Sequence, residues 1–154
     1  MPYWAELWPA GLALACALPH RLDGVRVVEL GCGLGVPSLV AAARGASVTA
    51  VDWAPAAIDL LRRNAVRNGL VLSAEEADWR AFAGEFDLVL AADVLYEARN
   101  VAPLLELLPR VAGEVLLSEP GRPHAASFLE QAAQSWEVAV AGERVYRLSA
   151  PVER

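Results

Sequence analysis

Val25-Arg26-Val27-Val28-Glu29-Leu30-Gly31-Cys32-Gly33-Leu34-Gly35 is a short β-rich run that meets a cluster of glycines. A helical pattern follows it over 36–44. Strand, glycine turn and helix in that order open a βαβ unit built around a ligand. Gly31, Gly33 and Gly35 remove three side chains from one tight turn, so a bulky ligand can lie against the main chain. Downstream, Ser47-Val-Thr-Ala-Val-Asp52 reads as a second buried strand ending in a carboxylate. In a βαβ unit that places Asp52 beside the glycine loop, within reach of a ribose diol.

The pattern continues in both directions. Residues 9–18 read as a helix, with Pro9 at its first position and Pro19 ending it. Strands are predicted at 25–30, 47–51, 70–74, 86–93 and 115–118, and helices at 36–44, 55–68, 98–111 and 123–134. The fourth strand, Phe86 to Asp93, is apolar almost throughout and therefore central. Residues 136–141 and 144–149 alternate polar and apolar side chains around Gly142-Glu143, which predicts an antiparallel hairpin. The expected architecture is an α/β, Rossmann-like, doubly wound fold. Its mostly parallel seven-stranded sheet carries helices on both faces and a C-terminal antiparallel hairpin. No linker, repeat or low-complexity segment divides residues 1–154, so one domain is expected.

Ligands in such sheets bind beyond the carboxyl ends of the strands. Four acids fall at predicted strand ends: Glu29, Asp52, Asp93 and Glu119. One crevice lined with acids suits a cationic cofactor and an amine substrate. The glycine spacing sharpens this. A dinucleotide fingerprint is G-x-G-x-x-G, with a pyrophosphate at the helix N-terminus. Here the spacing is G-x-G-x-G, and Glu29 stands two residues ahead of it, where it would repel a pyrophosphate and attract a cation. S-adenosylmethionine has an ammonium, a sulfonium and a ribose, and no phosphate. An oxidoreductase using a dinucleotide is disfavoured on the same grounds.

Composition narrows the classes. The chain has 154 residues and a net charge of -6, with no basic face to suggest a nucleic-acid partner. All 13 basic residues are arginines, which excludes a catalytic or Schiff-base lysine. Cys16 and Cys32 give neither a metal spacing nor a disulfide framework, and no metal site is expected. His20 and His124 are isolated, each beside a proline. No apolar run reaches the ~18 residues of a membrane helix. Residues 7–19 lack the basic flank of a signal peptide, so a cytoplasmic protein off the membrane is expected. The 56% hydrophobic content fits buried parallel strands and permits a monomer or a weak dimer.

The sequence resembles the class I, seven-β-strand methyltransferases. Within them it is similar to the branch of non-histone protein lysine methyltransferases, also described as nicotinamide N-methyltransferase-like. The carriers are Pro2-Tyr-Trp-Ala-Glu-Leu-Trp-Pro9, Glu29-Leu-Gly-Cys-Gly-Leu-Gly-Val-Pro37, Val51-Asp52-Trp53 and Asn64-Ala-Val-Arg-Asn68. Ala77-Asp-Trp79 and Asp87-Leu-Val-Leu-Ala-Ala-Asp-Val-Leu-Tyr96 complete the set. Glu119-Pro-Gly-Arg122 further resembles the Asp-Pro-Gly-Arg of enzymes that methylate electron transfer flavoprotein β-subunit, with Glu in place of Asp.

This resemblance implies an S-adenosylmethionine-dependent N-methyltransferase acting on a protein lysine. Glu29, Gly31, Gly33 and Gly35 would hold the methionine portion, with Glu29 near its ammonium. Asp52 would take the ribose hydroxyls and Trp53 would flank the adenine. Asp78 and Trp79 would meet the adenine edge and face, Trp8 would close over the methionine end, and Ala92 would contact the cofactor through its backbone. Asp93 and Tyr96 would border the acceptor nitrogen as the catalytic pair. A small-molecule N-methyltransferase and a non-catalytic S-adenosylmethionine-binding module are the alternatives.

Overall fold

The computed structural model describes residues 2–151. Its elements run in chain order as α1 (Pro9–Ala17), β1 (Arg26–Leu30), α2 (Val36–Ala43), β2 (Ser47–Asp52), α3 (Pro55–Arg67), β3 (Ser73–Glu76) and β4 (Leu88–Ala92). Then follow α4 (Val101–Val111), β5 (Glu114–Ser118), α5 (Ala125–Ala132), β6 (Glu137–Gly142) and β7 (Val145–Ser149). Short 3₁₀ turns stand at Tyr3–Ala5, Trp79–Ala81 and Ala98–Asn100.

One sheet takes all seven strands in the order β3-β2-β1-β4-β5-β7-β6. The first five strands in that order are parallel, and β7 runs antiparallel to both β5 and β6. The mostly parallel seven-stranded sheet and its C-terminal hairpin are thus as the sequence predicted. No helix among the described residues is long and apolar enough to cross a membrane.

Side-chain alternation along β1 separates two cores. Val28 and Leu30 face Leu104, Leu107 and Leu108 of α4 and Phe128 of α5. Val27 faces Leu14 of α1 and Ala41 of α2. Ile58 and Leu61 of α3 close over Ala50 and Ala74. Each of the large residues is excluded from water, and burial of such a side chain contributes about 1.5–3 kcal/mol. Glu29 shares the α1–α2 side of β1, so a carboxylate is buried in an otherwise apolar layer.

The register aligns the carboxyl ends. Leu30 lies opposite Val51 and Ala91, and Ala92 opposite Ser118. The chain reverses order between β1 and β4, and the crevice opens at that switch point.

Most boundaries shift by one or two residues, and three of the differences have a clear physical reason. The third strand spans Ser73–Glu76 rather than 70–74, because β2 pairs Thr49 with Ser73 and Asp52 with Glu76. It is an edge strand that buries only Ala74, so apolarity does not mark it, while Val71 stands in solvent. The helix predicted over 98–111 begins as a 3₁₀ turn, with Asn100 donating from its buried amide to the Val94 carbonyl at 2.9 Å. The strand predicted to reach Asp93 ends at Ala92, and Asp93 turns into the left-handed region at φ 52°.

Candidate active site

The glycine loop owes its shape to backbone conformation. Gly31, Gly33 and Gly35 have φ of 65°, 50° and 71°, which L side chains rarely adopt. Their missing side chains serve different neighbours. A Cβ on Gly35 would lie 2.5 Å from Cδ1 of Leu61, so this glycine lets α2 and α3 approach. One on Gly33 would lie 3.1 Å from the Trp4 carbonyl, which covers the loop. Gly35→Ala should therefore lower stability by about 2 kcal/mol or more, from the backbone penalty plus overpacking against a fully buried leucine. Gly24→Ala, at φ 74° with open space around it, should cost only about 1–2 kcal/mol. Thermal denaturation of the pair separates the two contributions.

Three of the loop amides are spent internally. Cys32 N–H donates to the Val51 carbonyl, Gly33 N–H to Asp52 Oδ2 at 2.8 Å, and Gly35 N–H to the Cys32 carbonyl. The N-terminus of α2 is filled by the chain's own carboxyl group, because Ser38 N–H donates to Glu29 Oε2 at 2.9 Å and its hydroxyl donates to the same oxygen. A phosphate binds such a terminus through free amides. Here Glu29 holds that place, which rejects a pyrophosphate and favours a cation. Burial pushes the Glu29 carboxyl up to about 8, against the two bonds from Ser38 and with help from the charge of Asp52.

Asp52 is also buried, and its two oxygens split between neighbours. Oδ2 accepts from Gly33 and Oδ1 from Ala54 at 2.9 Å, so the side chain ties the loop after β1 to the start of α3. Each oxygen keeps a further lone pair for a diol.

These groups line one cleft of about 460 Å³, a volume suited to a small organic ligand. Trp8, Glu29, Gly31, Gly33, Gly35, Asp52, Trp53, Trp79, Ala92, Asp93 and Tyr96 all stand on its wall. Asp78 does not. It caps the turn that follows β3, accepting from the backbone and guanidinium of Arg80, and that hydrogen bond holds its carboxyl below the usual range. Trp53 is 69% exposed, an aromatic face turned to solvent at the cleft mouth.

The far end of the cleft is organised around Asp93. Its backbone sits in a left-handed conformation and its side chain is buried. Arg122 grips it with both arms, Nε to Oδ1 at 2.8 Å and a terminal NH₂ to Oδ2 at 2.7 Å. Tyr3 donates its hydroxyl to Oδ2 at 3.2 Å and accepts from Arg122 at 3.0 Å. Burial and the charge of Asp93 push the Tyr3 hydroxyl up to about 12, so it stays a donor. The Tyr3 ring meets Trp8 at 4.4 Å and Tyr96 at 5.3 Å between centroids.

Arg122 is itself held. Glu119 Oε1 accepts from the amides of Gly121 and Arg122, and Glu119 N–H donates to the Arg144 carbonyl at 2.9 Å. The hairpin turn of β6–β7 thus props the turn that presents Arg122. Tyr3 is given no role by the sequence, and Arg122 enters there only within the Glu119–Arg122 turn, with no pairing to Asp93. A buried carboxylate after an apolar strand implied a partner, but which arginine supplies it depends on a contact spanning 29 residues.

A family model described as "Methyltransferase domain" matches residues 27–113. The chain is 36% identical over 137 residues to the electron transfer flavoprotein beta subunit lysine methyltransferase of Xenopus laevis, covering 82% of this chain and 55% of that protein. It is 35% identical over 127 residues to the ubiquinone biosynthesis O-methyltransferase of Methylocella silvestris, covering 80% of this chain and 47% of that one. The chain spans about half the length of these curated relatives. Magnesium protoporphyrin IX methyltransferase from Synechocystis PCC 6803, crystallised with bound SAM, superposes with a TM-score of 0.73 at 19% identity, over 84% of this chain and 72% of that one. That last likeness is one of fold.

Proposed function

The chain belongs to the class I S-adenosylmethionine-dependent methyltransferases, and we propose that it is an N-methyltransferase acting on the side chain of a protein lysine. The observation that carries this reading is the buried Asp93 on the wall of a cleft that Tyr96 also lines. A carboxylate and a phenol in one cleft suit a nitrogen donor, and the similarity to a lysine methyltransferase points to which nitrogen.

The cleft fits the cofactor by the chemistry of its donors. Glu29 would face the ammonium, whose charge would draw the buried carboxyl into its ionised form. Asp52 would take ribose hydroxyls on its remaining lone pairs, between Trp53 and Trp79 as faces for the adenine. Asp78 would reach the adenine edge only by leaving Arg80. Trp8 and the three loop glycines would enclose the methionine portion, with the Ala92 backbone at the strand end.

When bound, S-adenosylmethionine supplies a methyl group already activated by its sulfonium. The chain's own work is placement. Asp93 and Tyr96 would orient the acceptor nitrogen, and the paired rings of Tyr3 and Trp8 form part of the cleft wall. A lysine ammonium must lose a proton first, from a reference pKa of about 10.4.

A small-molecule acceptor is the second reading, favoured by the similarity to a ubiquinone biosynthesis enzyme. Incubation of the protein with tritiated S-adenosylmethionine and a heat-treated lysate of its source organism decides between them. Acid hydrolysis of the protein fraction should release label as methyl-lysine. Label confined to small metabolites would favour the second reading, and no label in any fraction would favour a binding module.

A further inference from the structure

A carboxylate alone is a poor host for a nucleophilic amine. Placed beside a buried Asp, an alkylammonium is stabilised in its charged form, and its pKa rises. The charged form has no lone pair to give. Yet Asp93 is not alone. Arg122 covers both of its oxygens, and the contact drives the guanidinium further above its usual range. The pair is electrically neutral, and Tyr3 adds a donor that remains protonated.

The other groups around this end do not restore a net charge. Glu119 faces Arg122 from the turn after β5, and Arg144 reaches the same turn through the Pro120 carbonyl. Asp93, Glu119, Arg122 and Arg144 therefore sum to zero. Tyr96 on the cleft wall is a phenol. Glu97 pairs with Arg99, Arg80 faces Tyr96 and Glu97 but is paired with Asp78, and Glu6 is exposed, where water screens it.

We infer that Arg122 is a positioning residue for the acceptor: by neutralising Asp93 it makes the cleft take an amine in its uncharged form. The inference rests on the reading of the acceptor as an amine. An alkylammonium entering the cleft releases one proton to bulk water. The nitrogen lone pair so freed forms the new N–C bond, while the electrons of the C–S bond remain on sulfur. Asp93 keeps its hydrogen-bonding capacity for the N–H groups, and Arg122 removes the field that would hold the proton on.

The experiment compares wild type with Arg122→Met and Arg122→Lys, each loaded with S-adenosylhomocysteine. n-Butylamine serves as the probe, titrated by calorimetry at pH 8 in buffers of different ionisation enthalpy. Wild type should release close to one proton per amine bound, and Arg122→Met should release almost none, because an unpaired Asp93 holds the ammonium. Arg122→Lys should restore the release. In parallel, the pH profile of tritiated methyl transfer into lysate protein should move to higher pH by about one unit or more in Arg122→Met. It should return toward wild type in Arg122→Lys, which also guards against a Met variant that fails to fold. Equal proton release in all three proteins, with transfer reduced by the same factor at every pH, would overturn the inference and leave Arg122 merely structural. Wild type that neither binds n-butylamine nor labels protein would instead remove the amine reading on which the inference stands.

Discussion

Asp93→Asn should lower methyl transfer by a factor of about 10² or more while leaving S-adenosylmethionine affinity nearly unchanged. The size follows from what the carboxylate does. It is the buried acceptor to which the incoming nitrogen's protons would point, and loss of such positioning or proton handling typically costs 10²–10⁴ in rate. Asparagine is the informative replacement because Asp93 sits at φ 52°. Asn tolerates that conformation, whereas alanine would add backbone strain to the loss of charge. The variant should also be less stable than wild type, since Arg122 would lose a bidentate ionic partner. Initial rates and calorimetry on the same preparation test this. Unchanged transfer would remove Asp93 from the chemistry, and a parallel loss of cofactor affinity would move it to the cofactor's end of the cleft.

Glu29→Gln should weaken S-adenosylmethionine binding by about 10- to 100-fold, the usual range for a buried hydrogen bond to a charged group. The same change should stabilise the empty protein at neutral and slightly alkaline pH. Burial holds the Glu29 carboxyl up to about 8 in the folded state, against an ordinary value of 4.5. The folded protein therefore keeps a proton that the unfolded chain has already lost. Stability from this site is full below pH 4.5 and falls as pH rises through about 8. Glutamine never ionises, so the melting temperature of the variant should exceed that of wild type by a margin that grows from pH 5 to pH 8. Weak binding together with raised stability would mark a residue kept for function. Weak binding with lowered stability would make Glu29 a structural cap for α2.

The strand-end acids were legible because each terminates an apolar run, and the parallel register then carries them to one edge. Glu29, Asp52 and Asp93 needed no long-range information beyond the alternation of strand and helix to be placed on the cleft wall, whereas Glu119, read into the same crevice, stays off that wall and holds the turn that presents Arg122. The third strand was not legible, because Ser73–Glu76 is a polar edge that buries one alanine and is defined only by its pairing with β2. The glycines were read as ligand clearance, yet the tightest approach at Gly35 is to Leu61 and at Gly33 to Trp4. Those contacts join separate segments and leave no local signal. The turn of Asp78 with Arg80 is different. Its two-residue spacing is a local capping pattern that could have been noticed before the fold was known. The network of Tyr3, Asp93 and Arg122 joins residues 90 and 29 positions apart, and only the folded chain brings them together.

Proton linkage reads Glu29 directly as the seat of a cationic cofactor group. Wild-type protein titrated with S-adenosylmethionine at pH 7, in buffers of different ionisation enthalpy, should bind and release about one proton, because pairing with the ammonium ionises a carboxyl that was neutral beforehand. The ligand's own amine is already mostly protonated at that pH and takes up little. NAD should not bind. Preference for NAD, or binding of S-adenosylmethionine with no proton released, would contradict the account.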